Sequence, residues 1–160
     1  MARVVSTLVQ VHVAQPSELG WRHLIVRRLP TDETLPSMWQ CITGHILPGE
    51  GAYHAAQREL AEETGLQTAE WWALPTIGSF YDPTSDAIVI VPAFGAVVTP
   101  HCSVQLSEHA EYCWGSAHAV SSKLSVPAQR EGVLQFEKLL IMQEHVPHIR
   151  ALYRLNPLSG

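Results

Sequence analysis

The stretch GHILPGEGAYHAAQRELAEETGL, Gly44 to Leu66, limits what this chain can fold into more than any other. Ala52 to Thr64 is rich in Ala, Gln, Arg, Leu and Glu, and Gly65 follows. That composition predicts a helix with a glycine stop. At about 100° per residue from Ala52, Glu62, Glu59 and Glu63 fall near 280°, 340° and 20°. Tyr53, Ala56 and Leu60 form the adjoining apolar stripe, and Ala55 is too small to cover the acids. The stripe must face a sheet, so three carboxylates stand at the edge of the core.

Like charges at this spacing repel. Arg58 relieves part of the repulsion, and Glu50, in the preceding turn, can take the other side of its guanidinium. One arginine does not neutralise four glutamates. A hard divalent cation does, because Mg²⁺ and Mn²⁺ favour carboxylate, carbonyl and water oxygens, and Mg²⁺ takes substrate phosphates as further ligands. Charge pattern alone leaves a solvated acidic helix face equally open.

Strands are expected at Val4–Val13, at Trp21–Leu29 and along MWQCITGHIL as far as Gly44. AEWWALPTIGSFYDPTSD reads as two short strands with a loop. AIVIVPAFGAVV is too apolar for a half-exposed strand and is expected in the middle of a sheet, with Pro92 marking a bulge or an edge. A strand near Glu111–Trp114 follows, then a helix over Ala128–His145 with Val133, Phe136, Leu140 and Ile141 as its stripe. The tail after about 147 is left open between extended helix and frayed end. The pattern predicts an α/β fold, a mixed sheet packed between helices, in one domain over 1–160.

With 46% apolar and 16% charged residues, the chain has the composition of a globular domain rather than a disordered one. A net charge of −5 argues against nonspecific nucleic-acid binding. Cys41, Cys102 and Cys113 lack CxxC spacing, so free thiols are expected. Cys102 and Cys113 stand near His101 and His109, but in no zinc-site spacing. No apolar run is long enough for a membrane span or a signal peptide, which predicts a cytoplasmic protein.

Gly44, Glu50 and Arg58-Glu59-Leu60-Ala61-Glu62-Glu63-Thr64-Gly65-Leu66 match every fixed position of G-x5-E-x7-R-E-U-x-E-E-x-G-U. This segment resembles the Nudix box. WQCITG and LSEHAEYCW resemble segments of the branch that hydrolyses nucleoside and dihydroneopterin triphosphates; the second also resembles dinucleoside tetraphosphate hydrolases. The resemblance implies an α/β/α sandwich with a loop–helix–loop motif. It also implies hydrolysis of a nucleotide-like diphosphate with Mg²⁺ or Mn²⁺. By position, Glu59, Glu62 and Glu63 would bind metal with the Gly44 carbonyl, while Glu50, Arg58 and Gly65 would be structural.

A carboxylate must take the attacking water's proton. Glu62 is the first candidate and Glu108 the second, with Glu59 beside them; His109 would orient Glu108 or bind substrate. Arg27 and Arg28 point to opposite faces, so one, taken as Arg28, can meet phosphate. Trp39 and Tyr81 are candidates to stack a base. Alternatives are a dinucleoside polyphosphate or ADP-ribose hydrolase. A Nudix-like binding module without catalysis is disfavoured, since such modules usually lose box glutamates. A homodimer is left open.

Overall fold

The computed structural model describes residues 1–157; the last three positions of the expected domain and tail, 158–160, lie outside the described residues. Strand β1 (Arg3–Val5) and strand β2 (Leu8–Ser17) replace the single expected strand Val4–Val13. The break comes at Ser6–Thr7, where the Thr7 carbonyl accepts the Ile46 N–H. β2 turns into β3 (Gly20–Arg28) as a hairpin closing on Ser17 opposite Gly20.

Residues 9–14 of β2 are all buried, so both faces of this strand are covered. Val9, Val11 and Val13 join one core cluster and Ala14 another. Gln10 and His12 share the second face with Ala14, and both are buried.

The short strands β4 (Trp39–Gln40) and β5 (Ile42–His45) pair with β3 and β2. Strand β7 (Ala87–Val98) is central as expected, parallel to both β1 and β2. Its other neighbour, β6 (Thr68–Asp82), is one strand of 15 residues rather than two short strands and a loop. The register shifts between Ala73 and Ile77, so the expected irregularity near Pro92 is a bulge on the partner strand. On its other side Pro92 falls between the stretches paired to β1 and β2, where its missing N–H breaks no ladder bond. Strand β8 (His109–Gly115) pairs with β3.

Helix α1 (Ala52–Thr64) covers one face of the mixed sheet through Ala55, Ala56 and Leu60. Helix α2 (Ala117–Lys123), not anticipated from the sequence, is capped by Ser116, whose Oγ accepts the Ala119 N–H at 3.2 Å. Helix α3 (Pro127–Met142) covers the other face and ends before the expected His145. Its stripe uses Val133, Phe136, Leu139 and Leu140, whereas the expected Ile141 is exposed. Gly132 lets α3 approach the sheet: a Cβ there would overlap the His12 ring. After α4 (Ile149–Tyr153) the tail returns as β9 (Arg154–Leu155) against β6, neither extended helix nor frayed end. No helix among the described residues is long and apolar enough to cross a membrane.

Candidate active site

α1 is held at both ends and along one side. Gly65, with φ of 67°, ends it and donates its N–H to the Ala61 carbonyl. Tyr53 stacks on Phe94 and meets Trp71 edge-on, fixing the N-terminal turn to the sheet. The three carboxylates then differ sharply in exposure. Glu63 is buried, the Glu59 side chain is 14% exposed and that of Glu62 is 60% exposed.

Arg58 is the hub of the preceding loop. Its Nε and Nη2 donate to the two Glu50 oxygens at 2.8 and 2.9 Å. Nη2 also donates to the His45 carbonyl, and Nη1 reaches Glu59 at 2.8 Å and Glu62 at 3.2 Å. Glu50 in turn accepts the Leu47 N–H, so the turn is tied to the helix. These bonds, Arg58 foremost, hold the Glu50 carboxyl down at about 2. Gly44 sits against the same cluster: a Cβ there would overlap the Glu59 carboxylate.

Glu63 behaves oppositely. Burial, then the charges of Glu59, Glu108 and Glu62, push its carboxyl up to about 8, with Arg28 opposing. Its Oε2 is buried without a hydrogen-bond partner. Among the described residues no three His, Cys, Asp or Glu side chains already form a metal cage. Arg58 engages Glu59 and Glu62, while Glu63 has no arginine partner among the described residues, which leaves its carboxylate for a cation. An all-oxygen donor set with excess negative charge fits Mg²⁺ or Mn²⁺. The three cysteines are free, and Cys41 is buried.

Of the three box carboxylates, Glu63 opens onto a cavity of about 420 Å³ lined also by Arg28, Gln40, Gly44, Glu108 and His109, whereas Glu59 and Glu62 lie outside its lining. A second chamber of about 610 Å³ shares Arg28, Gln40 and Thr43 with it and is walled by Leu35, Met38, Phe80 and Pro127. The structure therefore brings Gly44, Glu63, Glu108 and Arg28 to one space. Arg28 donates to Asp32 and, at 3.2 Å, to Gln40 Oε1. Arg27 turns away to Glu111 and the Ser37 carbonyl. His109 Nε2 lies 3.1 Å from Gln40 Nε2, and burial holds the imidazole below its usual pKa.

Two expected substrate contacts are not brought there. Trp39 packs on the cluster of Ile25, Val120 and Leu124, with Lys123 and Arg27 over its ring. Tyr81 is exposed, and its hydroxyl donates to Asp86 at 3.0 Å. Its neighbour Phe80 lines the chamber instead, because alternate residues of β6 point to opposite sides. Sequence reasoning missed Phe80, Leu35, Met38 and Gln40. Gln40 lay inside the WQCITG segment, but nothing local marked it as a cavity residue.

The NUDIX domain model matches residues 11–136. A curated Myxococcus xanthus protein named as an octanoyltransferase is 32% identical over 117 residues. The match takes in 70% of this chain and 31% of that protein, so this chain spans about a third of the relative's length. A Listeria monocytogenes structure described as a NUDIX hydrolase superposes with a TM-score of 0.75 at 20% identity, covering 88% of this chain and 97% of the other. A Caenorhabditis elegans Ap4A hydrolase gives 0.70 at 19% identity, with 86% and 98% covered. The Escherichia coli dihydroneopterin triphosphate pyrophosphohydrolase gives 0.69 at 20%, with 86% and 99% covered. At these identities the superpositions establish the fold. The family model covers most of the sequence, so the chain belongs to the NUDIX domain family.

Proposed function

We propose that the chain hydrolyses a diphosphate linkage in a nucleoside triphosphate or a similar pterin triphosphate, with Mg²⁺ or Mn²⁺ held by Glu59, Glu62, Glu63 and the Gly44 carbonyl. One observation carries this reading: the acidic cavity runs into an apolar chamber walled by Leu35, Met38, Phe80 and Pro127, against which a flat ring system can pack. A cation held by these carboxylates would supply Lewis acidity toward a phosphate and a lowered pKa for a bound water. Arg28 faces the same cavity and offers the phosphate chain a fixed positive charge. Glu62, the most exposed of the three acids, takes the proton of the attacking water; Glu108, which lines the cavity, is the second candidate.

A dinucleoside polyphosphate, with a ring at each end, is the second reading. The Ap4A hydrolase structure superposes as well as the pterin triphosphate enzyme does. A single apolar chamber beside the carboxylates favours the one-ring substrate. Purified protein with Mg²⁺ should release pyrophosphate or a nucleoside monophosphate from a panel of nucleoside, pterin and dinucleoside polyphosphates. Glu62→Gln should lose most of that rate. No turnover across the panel with either Mg²⁺ or Mn²⁺ would sink the proposal, and preference for a two-ring substrate would select the second reading.

A further inference from the structure

We propose that His109 is a positioning residue for Glu63, a neutral imidazole whose single proton is held on Nδ1, facing the inner oxygen of that carboxylate. The inference rests on the reading of Glu63 as a metal-holding group. It follows from the direction of a hydrogen-bond chain. A guanidinium only donates, so the Gln40 atom that Arg28 Nη1 meets at 3.2 Å must be Oε1. The other end of that amide, Nε2, then only donates, and it lies 3.1 Å from His109 Nε2. That ring nitrogen must accept and carries no proton. In a neutral ring the proton therefore sits on Nδ1.

His109 Nδ1 is 3.8 Å from Glu63 Oε2, with the two side chains 6% and 7% exposed. Neither atom has another hydrogen-bond partner. The separation is longer than a hydrogen bond, so a small adjustment of either side chain closes it. A donor placed there holds one oxygen of Glu63 and leaves the other for a cation, as partners behind metal ligands commonly do. The far end of the chain is fixed too. Asp32 takes Arg28 Nη2 and accepts the Thr34 and Leu35 N–H groups, so a loop outside the glutamate motif sets the tautomer.

Ring ¹⁵N spectra of the purified protein test this directly, with the His109 signal identified by its loss in His109→Asn. The expected result is a protonated Nδ1 and a bare Nε2. Gln40→Glu presents only acceptors to Nε2 and should move the proton onto it. Mn²⁺ binding gives a second readout. His109→Asn keeps an amide N–H near the Nδ1 position and should stay within about threefold of wild type, while His109→Gln, which reaches the Nε2 position, should weaken binding about 10- to 100-fold. A wild-type proton on Nε2, or equal Mn²⁺ affinity in the two His109 variants, would overturn the assignment. Wild-type protein that binds no Mn²⁺ would overturn the metal reading, and this inference with it. A wrong tautomer with Mn²⁺ binding intact would overturn this inference alone.

Discussion

On the α1 face Glu63 is buried among three other glutamates; on the α3 face His12 is buried beside His23 and beneath Gly132. Both are ionisable groups out of water, and both have an unpartnered polar atom. His12 escapes the cost by staying neutral: burial, then the charge of His23, pushes its pKa down to about 3. Glu63 is given negative neighbours that raise the cost of its charge, and its position at a cavity lets a cation relieve it. One face uses a polar side chain as packing. The other stores unfavourable electrostatics that a bound cation would release, the usual stability cost of a functional site.

Glu63→Gln breaks this contrast most strongly. Removing a carboxylate proposed to hold the metal should cost more activity than the 10- to 100-fold seen for groups behind ligands, so a loss above about 100-fold is expected. The same change should stabilise the metal-free protein. The folded carboxyl titrates near 8 and the unfolded one near 4.5, so wild-type stability falls as pH rises between those values. Urea unfolding in chelator should show no gain for Glu63→Gln at pH 4.5 and a gain of about 2–4 kcal/mol at pH 8. Saturating Mg²⁺ should erase that gain by stabilising only the wild type. Equal stabilities in chelator at pH 8 would remove stored repulsion from the account.

The same small substitution on the two faces should have opposite readouts. In Gly132→Ala the new Cβ meets the His12 ring between a helix and a sheet, and about 1–3 kcal/mol of stability should be lost with turnover per folded molecule kept. In Gly44→Ala the new Cβ meets the Glu59 carboxylate at a cavity edge, where the side chain can swing aside. Displacing Glu59 should lower activity about 100-fold while the unfolding free energy changes by under about 1 kcal/mol. If both variants lose stability equally, the two faces are not energetically distinct.

The neutral histidine gives a pH test of its own. Its folded pKa is about 3 against an ordinary 6.5, so stability is full above pH 6.5. Below that the unfolded chain gains a proton first, and about 1.4 kcal/mol should be lost per pH unit down to pH 3. His12→Leu, of similar bulk and without a titrating group, should flatten that part of the profile. An unchanged slope would mean that other groups carry the acid sensitivity.

The readable parts of this molecule were those encoded in local spacing. Helix α1 is bounded as its composition and Gly65 predict, and the Arg58 hub is implied by one arginine among four acids. Gln10 and His12 show why the rest was harder. Their alternation with valines reads as a half-exposed strand, yet α3 covers the polar side as well. The return of the tail as β9 depends on pairing with Trp71 and Trp72, 83 positions or so earlier, which no local pattern records. The His109 chain is hidden for the same reason: Arg28, Gln40, Glu63 and His109 meet only after four separate elements have packed.

The chamber wall tests the smallest of these differences, a parity of one residue. Tyr81 has the ring and the polar tip expected of a base-stacking residue, but it points outward to Asp86. Phe80 lines the chamber and is 49% exposed, leaving its ring face open. Truncating Phe80→Ala removes aromatic contact worth about 1–1.5 kcal/mol, so KM should rise about 5- to 12-fold with kcat little changed. Tyr81→Phe removes only a surface hydroxyl and should leave kcat/KM within about twofold, as surface changes usually do. Steady-state kinetics on the best substrate of the panel separates the two. A larger effect from Tyr81 would place the ring site on the opposite side of β6, and with it the direction in which the phosphate chain must run toward Glu63.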